Sequence, residues 1–277
     1  MEKWCAAPGW TVGDADRTIG DTAVDRVTTT LPVPRVLAIG GSDTSGRAGL
    51  QMDLRTIAAH GCYGLSVVTA VTAQGARGVT AVHVVPPEIV AAQIEAVLVR
   101  DEADAIKVGM LGNAATVEAV VRALAPLSST PIVVDPVLAA SSGEALLSDD
   151  AIAPLLERLF PLAALATPNL PEAARLTGLR ADTDEERVAA ARRLAGPITA
   201  VLLKGGHGTG DELVDLLLDG ETIDRFAHPR QPRTMRGTGC ALAAAAACRL
   251  ARGEKLLDAV RGGIEYVQQQ IAAATAC

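Results

Sequence analysis

The sequence predicts an α/β protein of three layers, with a mostly parallel central sheet and helices on both faces. Two observations carry that reading. From Val36 onward, short apolar runs of strand length alternate with helix-length segments, and such alternation builds a buried parallel sheet covered on both sides. Polar and glycine-bearing residues also punctuate the ends of successive strand runs, where a doubly wound sheet gathers its ligands.

Taken in order, residues 1–34 are polar, rich in Gly and Thr and without periodicity, and Pro32 and Pro34 close them off. They read as a flexible N-terminal extension ahead of one domain, residues 35–277. Strands are expected at 36–39, 65–71, 105–108, 132–134, 164–166 and 200–203. Helices are expected near 48–60, 87–100, 114–125 and 149–159, then as a pair at 170–177 and 184–195. Asp219-Gly220 between the apolar runs 213–218 and 221–226 reads as a hairpin that adds antiparallel strands at one edge. Helices at 238–251 and 255–273 finish the chain. The punctuation comprises Gly40-Gly41-Ser42-Asp43, Gln74-Gly75, Gly109-Met110-Leu111-Gly112, Asp135-Pro136, Thr167-Pro168-Asn169 and Lys204-Gly205-Gly206-His207. Six strand ends thereby bring candidate site residues to one sheet edge.

Composition narrows the classes. The 277 residues are 49% hydrophobic with only two each of Trp, Tyr and Phe, so the core rests on Ala, Val, Leu and Ile. No apolar run approaches the roughly 20 residues of a membrane span. The first 20 residues hold no signal-peptide core. A net charge of −7 argues against nucleic acid or an anionic membrane as partner. Five cysteines without CxxC spacing indicate neither a disulfide framework nor a zinc site. A cytoplasmic setting is the expectation.

Arg236-Gly237-Thr238-Gly239-Cys240 opens onto an alanine-rich, helix-forming run. The first backbone N–H groups of that helix lack intrahelical partners, and two glycines let an anion approach them. Cys240 falls in the first turn, where the macrodipole is expected to lower a thiol pKa. The competing reading is a glycine-rich helix start that merely packs tightly. No GxxxxGK[ST] loop and no GxGxxG between strand and helix is present, so neither device binds ATP or NAD here. Lys204 ends a strand and suits phosphate, while Asp135 is a hard oxygen donor suited to magnesium. Asn169 and Glu172, three apart, can hold water around that metal; each also reads as an ordinary cap or first-turn acid. Asp53 and Gln74 are candidates for reading a small heteroaromatic substrate, although Asp53 equally suits a helix start. His60 and His207 read as surface or loop histidines, and Arg47, Arg77 and Arg236 as loop arginines near the same edge.

Eight segments occur in order: Gly40-Gly-Ser-Asp-Thr-Ser-Gly-Arg-Ala-Gly-Leu-Gln-Met-Asp-Leu54, Val71-Thr-Ala-Gln74, Lys107-Val-Gly-Met-Leu111, Val134-Asp-Pro-Val137, Ser142-Gly143, Thr167-Pro-Asn-Leu-Pro-Glu-Ala173, Leu203-Lys-Gly-Gly-His207 and Gly237-Thr-Gly-Cys240. Over residues 35–272 they resemble the hydroxymethylpyrimidine/phosphomethylpyrimidine kinases of thiamine synthesis, members of the ribokinase superfamily. The resemblance implies a ribokinase-like domain that uses ATP and Mg2+ to phosphorylate an aminopyrimidine alcohol and its phosphate. It implies that Cys240 stands where related enzymes carry an aspartate base, with Gly237, Thr238 and Gly239 forming the anion hole. Lys204, Asp135, Asn169 and Glu172 would serve MgATP, with Gly206 beside them. Gly41, Asp53, Gln74 and Met110 would match the pyrimidine-contacting positions. A homodimer is a further implication. The chain departs from the family pattern at Arg47 (usually Gly), Ser141 (commonly Lys) and Arg236 (usually His), and lacks the Gly- and Pro-containing tail of many relatives. These departures bear on substrate choice and on the second phosphorylation. A pyridoxal-type kinase and a non-catalytic binding protein of the same fold are the alternatives.

Overall fold

A computed structural model describes residues 33–98, 103–195, 200–207, 212–232 and 235–274. Apart from Val33 and Pro34, the expected extension over residues 1–34 lies outside the described residues. The elements run β1 (Arg35–Asp43), α1 (Gly49–Ala59), β2 (Tyr63–Gly75), β3 (Gly78–Val84), α2 (Pro87–Leu98), β4 (Ala105–Val108), α3 (Ala114–Leu124) and β5 (Ile132–Val134). An irregular helix over residues 149–162, α4 here, precedes β6 (Leu165–Ala166), α5 (Leu170–Thr177), α6 (Asp184–Ala195) and β7 (Ala200–Leu203). The hairpin β8 (Glu212–Asp219) and β9 (Thr222–Pro229) leads to α7 (Thr238–Ala251) and α8 (Leu256–Ala273).

One nine-stranded sheet has the order β3-β2-β1-β4-β5-β6-β7-β8-β9. The strands from β2 to β7 pair in parallel, while β3 at one edge and the β8–β9 hairpin at the other are antiparallel. Alternation along the strands builds the layers. Leu37, Ile39, Ile106, Val108, Ile132 and Val134 pack in one core with residues of α2 to α6. Val36, Ala38, Ala105 and Val133 face the other way, against α1, α7 and α8. The parallel strands are apolar on both faces because both faces are covered. In α7, Ala243 to Ala247 and Cys248 are wholly buried. Such small side chains let this helix lie close to the sheet while offering little polar cost.

The expected architecture stands, with corrections to its elements. The strand expected at 36–39 runs from Arg35 through Gly40–Asp43 to the cavity edge. The run expected at 65–71 extends over Tyr63–Gly75 and turns back as β3. Most residues of this edge strand are exposed, and its apolar alternation slips by one place between Ala81 and Val82, so the sequence reading did not place it. The antiparallel additions therefore occupy both edges rather than one. The helix expected at 149–159 continues to residue 162 as successive 3-10, α and π turns. Pro154 and Pro161 each remove a backbone donor from it.

Candidate active site

The parallel strands end at a common edge, and the start of α7 closes that edge from the side. Between them lies a cavity of about 680 Å³, lined among others by Gly41, Asp43, Gln74, Met110, Asp135, Glu172, Lys204 and the residues from Gly237 to Cys240. Its size falls within the range of ligand pockets. All the expected site residues, Gly41, Asp53, Gln74, Met110, Asp135, Asn169, Glu172, Lys204, Gly206, Gly237, Thr238, Gly239 and Cys240, meet around it.

The wall after β1 is folded by Asp43. Its carboxylate accepts the backbone N–H groups of Ser45 at 2.8 Å, Arg47 at 3.1 Å and Ala48 at 2.8 Å. Asp43 is thereby committed to shaping the loop. That loop presses on the start of α7: Gly237 has φ +77°, and a Cβ there would lie 2.3 Å from the Arg47 carbonyl oxygen. Gly41 makes a second close approach, since a Cβ on it would come within 2.7 Å of Met110 Sδ. These glycines set where the walls of the cavity can sit.

Two lysine–aspartate pairs underlie the cavity. Lys204 Nζ donates to Asp135 Oδ1 at 2.8 Å, and Thr167 Oγ1 reaches the same oxygen at 3.3 Å. This pair lies directly over the first turn of α7, where a Cβ on Gly239 would be 2.9 Å from Lys204 Nζ. Burial alone would raise Asp135, but the Lys204 and Lys107 ammonium groups outweigh it and hold the carboxyl below its ordinary range. Glu172 is nine-tenths buried; burial pushes its carboxyl up to about 7 against the pull of Lys204. Asn169 and Glu172 form a reciprocal capping box, Glu172 N donating to Asn169 Oδ1 at 2.9 Å and Asn169 N to Glu172 Oε2 at 2.8 Å. The capping reading is thus realised for both, and Asn169 Oδ1 is engaged in the cap. The second pair, Lys107 Nζ to Asp53 Oδ2 at 2.9 Å, is sealed beneath the floor.

Two expectations change. Cys240 is half-buried, yet its thiol is not lowered. Burial, with the Asp53 and Asp135 carboxylates added, pushes it up to about 12, and Lys107 only partly offsets them. The helix-terminus argument failed because desolvation and neighbouring anions exceed a macrodipole contribution of about 1 kcal/mol. Asp53, expected to read substrate directly, has no exposed surface; Oδ2 is on Lys107 and Oδ1 is buried without a hydrogen-bond partner. It is a buried counter-ion first, and burial raises it to about 6.

Lys107 was missed as a site residue. Its alternation with Val108 inside an apolar strand was the available signal, since a lysine in that setting must be buried and paired. Arg236 was read as a loop arginine; its guanidinium donates to the Gly75 carbonyl at 3.1 Å, tying the α7 approach to the β2–β3 turn. Gln74 stands half-buried at the end of β2, with Thr72 Oγ1 3.3 Å from its Oε1. Among the described residues no group of three or more His, Cys, Asp and Glu could hold a metal ion. No described helix is long and apolar enough to cross a membrane.

A parallel sheet whose strand ends pool lysines, carboxylates and a glycine-rich helix start defines a ribokinase-like small-molecule kinase. Comparison with known proteins narrows the class. The phosphomethylpyrimidine kinase family matches residues 43–277, and the chain belongs to that family. The hydroxymethylpyrimidine/phosphomethylpyrimidine kinase of Rhizobium meliloti is 46% identical over 241 residues, covering 86% of this chain and 90% of that protein. A bifunctional thiamine biosynthesis protein of Geobacter sulfurreducens is 45% identical over 87% of this chain, which spans 50% of that longer protein. The pyridoxal kinase of Staphylococcus aureus, solved with pyridoxal, superposes with a TM-score of 0.82 at 30% identity, covering 88% of this chain and 90% of that one.

Proposed function

We propose that this chain transfers a phosphoryl group from ATP to the primary alcohol of 4-amino-5-hydroxymethyl-2-methylpyrimidine, and then to the resulting monophosphate, for thiamine synthesis. The observation that carries the reading is the Lys204–Asp135 pair over Gly239, in one cavity with Gln74 and Met110. Phosphoryl transfer asks little covalent chemistry of a protein; positioning and fixed charge carry most of it.

In this reading the N–H groups at the start of α7, from Gly237 to Cys240, stabilise charge on the moving phosphoryl group. Lys204 places its charge on the phosphates, and Gly206 and Asn169 lie on the nucleotide side. Gln74 offers an amide that donates and accepts side by side, suited to an aminopyrimidine edge, and Met110 and Gly41 pack against the ring. Asp53 acts from beneath through Lys107. Cys240 faces the reacting hydroxyl from the first turn of α7. Asp135 and Glu172 fit a magnesium ion, which needs only one or two carboxylates when phosphates and water complete its shell. Such an ion supplies positive charge to the phosphates when bound. A cytoplasmic homodimer belongs to the same reading.

Pyridoxal is the second reading, favoured by the likeness to the Staphylococcus aureus pyridoxal kinase. ATP consumption with hydroxymethylpyrimidine, its monophosphate and pyridoxal, measured side by side, separates the two. The proposal requires the two pyrimidines to be turned over far more efficiently than pyridoxal. Turnover of pyridoxal alone would reverse it, and no turnover of any of the three would remove the kinase reading.

A further inference from the structure

We propose that Asp215 and His228 are positioning residues for the turn that carries Lys204. Neither belongs to the strand-end edge from which the cavity is built. Asp215 lies on β8 and His228 on β9, in the antiparallel hairpin beside β7. The contacts nevertheless run straight to Lys204. The next residue, Gly205, donates its N–H to Asp215 Oδ1 at 2.6 Å. The other carboxylate oxygen, Oδ2, is 3.1 Å from His228 Nε2. Asp215 is 5% exposed and the His228 side chain 12%, so the pair is shielded from water. Gly205 has no freedom to drift: a Cβ there would be 2.0 Å from the Val214 carbonyl oxygen, which means the turn is pressed flat on β8.

The chain of contacts is therefore His228, Asp215, the Gly205 N–H, Lys204 and Asp135. A buried carboxylate is costly unless both of its oxygens are satisfied. Gly205 supplies one partner and His228 the other. Without His228, Asp215 is left with a bare oxygen in a shielded site, and a shift of the turn is the relief. That shift loosens the Gly205 anchor and moves the Lys204 ammonium relative to the start of α7.

A cavity of about 220 Å³ adjoins the main one here, and Lys204, Asp215, His228 and Arg230 are its charged or titratable lining. The residues that α7 and α8 contribute to it are uncharged. The hydrogen bond to Asp215 raises His228 above the ordinary imidazole range, against the effect of burial. As pH rises through that raised value the ring loses its charge, and the hold on Asp215 weakens.

This proposal rests on the nucleotide reading of Lys204. Its test is calorimetric binding of ATP and, separately, of hydroxymethylpyrimidine to His228→Gln, His228→Leu and Asp215→Asn over a pH series. We expect His228→Leu and Asp215→Asn to weaken ATP by about tenfold while pyrimidine binding stays within about twofold, one decade being ~1.4 kcal/mol. His228→Gln keeps a donor at similar reach, so it should bind ATP nearly as the wild type does at neutral pH. In the wild type, ATP binding should weaken as pH rises through the His228 titration, and His228→Gln should abolish that limb. Unchanged ATP binding in all three variants, equal weakening of both ligands, or a pH limb that survives His228→Gln would overturn the proposal. ATP binding without turnover would remove the kinase reading alone, whereas no ATP binding by the wild type would overturn both.

Discussion

Lys107 Nζ and Asp53 Oδ2 lie 2.9 Å apart with side chains 1% and 0% exposed, an ion pair between β4 and α1 that water does not reach. The close fit extends to Gly109, where a Cβ would be 2.7 Å from the ammonium nitrogen. Desolvation of two such charges is scarcely repaid by their attraction, so a buried pair is weak ground for stability. Its placement under Cys240 and beside Asp135 gives it an electrostatic task instead.

Removing only one partner should be costly. Lys107→Met leaves the Asp53 carboxylate buried and unpaired, and we expect a loss of about 3–5 kcal/mol in denaturant unfolding. The double variant Lys107→Met, Asp53→Leu removes both charges and should recover most of that loss. A double variant no more stable than Lys107→Met would show that packing, and not the unpaired charge, sets the cost.

The raised Cys240 thiol has a direct chemical consequence. Alkylation requires the thiolate, so iodoacetamide should label Cys240 more slowly at neutral pH than it labels a free cysteine with its pKa near ~8.5. The rate should keep climbing with pH well beyond that range. Peptide mass spectrometry reads Cys240 separately from the other four cysteines. For catalysis, Cys240→Ser should lose most turnover and keep substrate binding, with Cys240→Asp retaining more; near-normal turnover in Cys240→Ala would assign the work to positioning alone.

Gln74 tests the substrate side. Gln74→Leu keeps volume but removes both amide functions. A polar edge of the ligand then lies unpaired in the site, which costs heavily. Pyrimidine KM should rise by about tenfold or more, with ATP KM nearly unchanged. Equal rises in both would mark Gln74 as a structural residue of β2.

The parts of this architecture that follow from short-range pattern were legible in the sequence. Apolar runs placed the parallel strands, and their polar ends brought Gly41, Gln74, Met110, Asp135, Asn169 and Lys204 to one edge, while the glycine-rich helix start supplied Gly237 to Cys240. What escaped was set by surroundings. The edge strand β3 is mostly exposed, and its apolar alternation slips between Ala81 and Val82. The Cys240 shift comes chiefly from burial in the folded chain, with Asp53 and Asp135, 187 and 105 positions away along the chain, adding to it, and a local helix argument cannot count either. The Asp215–His228 pair likewise requires the β8–β9 register, in which Leu213 lies opposite His228.

Glu172 links the site to pH. Its carboxyl is raised from 4.5 to about 7 chiefly by burial. Below the unfolded value both states are protonated; as pH rises through the window to about 7, the unfolded chain gives up the proton first. The stability that the protonated form contributes is therefore lost on going from about pH 4.5 to 7. Glu172→Gln should remove the slope between about pH 6 and 7, the lower part of the window being shared with Asp53, which burial raises to about 6. A wild-type slope retained in the variant would assign it to another group.

The glycines at the start of α7 should separate fold from function. Gly237 holds φ +77° and faces the Arg47 carbonyl at 2.3 Å from a would-be Cβ. Both partners there are backbone, so Gly237→Ala meets strain and a clash together, and it should destabilise by more than the ~1 kcal/mol of a simple left-handed substitution. Gly239 lies inside the helix without a positive φ, and its would-be Cβ meets Lys204 Nζ at 2.9 Å. The end of a lysine side chain can move, and alanine suits a helix. Gly239→Ala should therefore unfold at nearly the wild-type temperature, yet raise ATP KM because it displaces Lys204 from the helix start. Thermal denaturation and ATP kinetics on the two variants give the comparison. A Gly239→Ala enzyme with normal ATP KM would mean that Lys204 acts from elsewhere than over the first turn of α7.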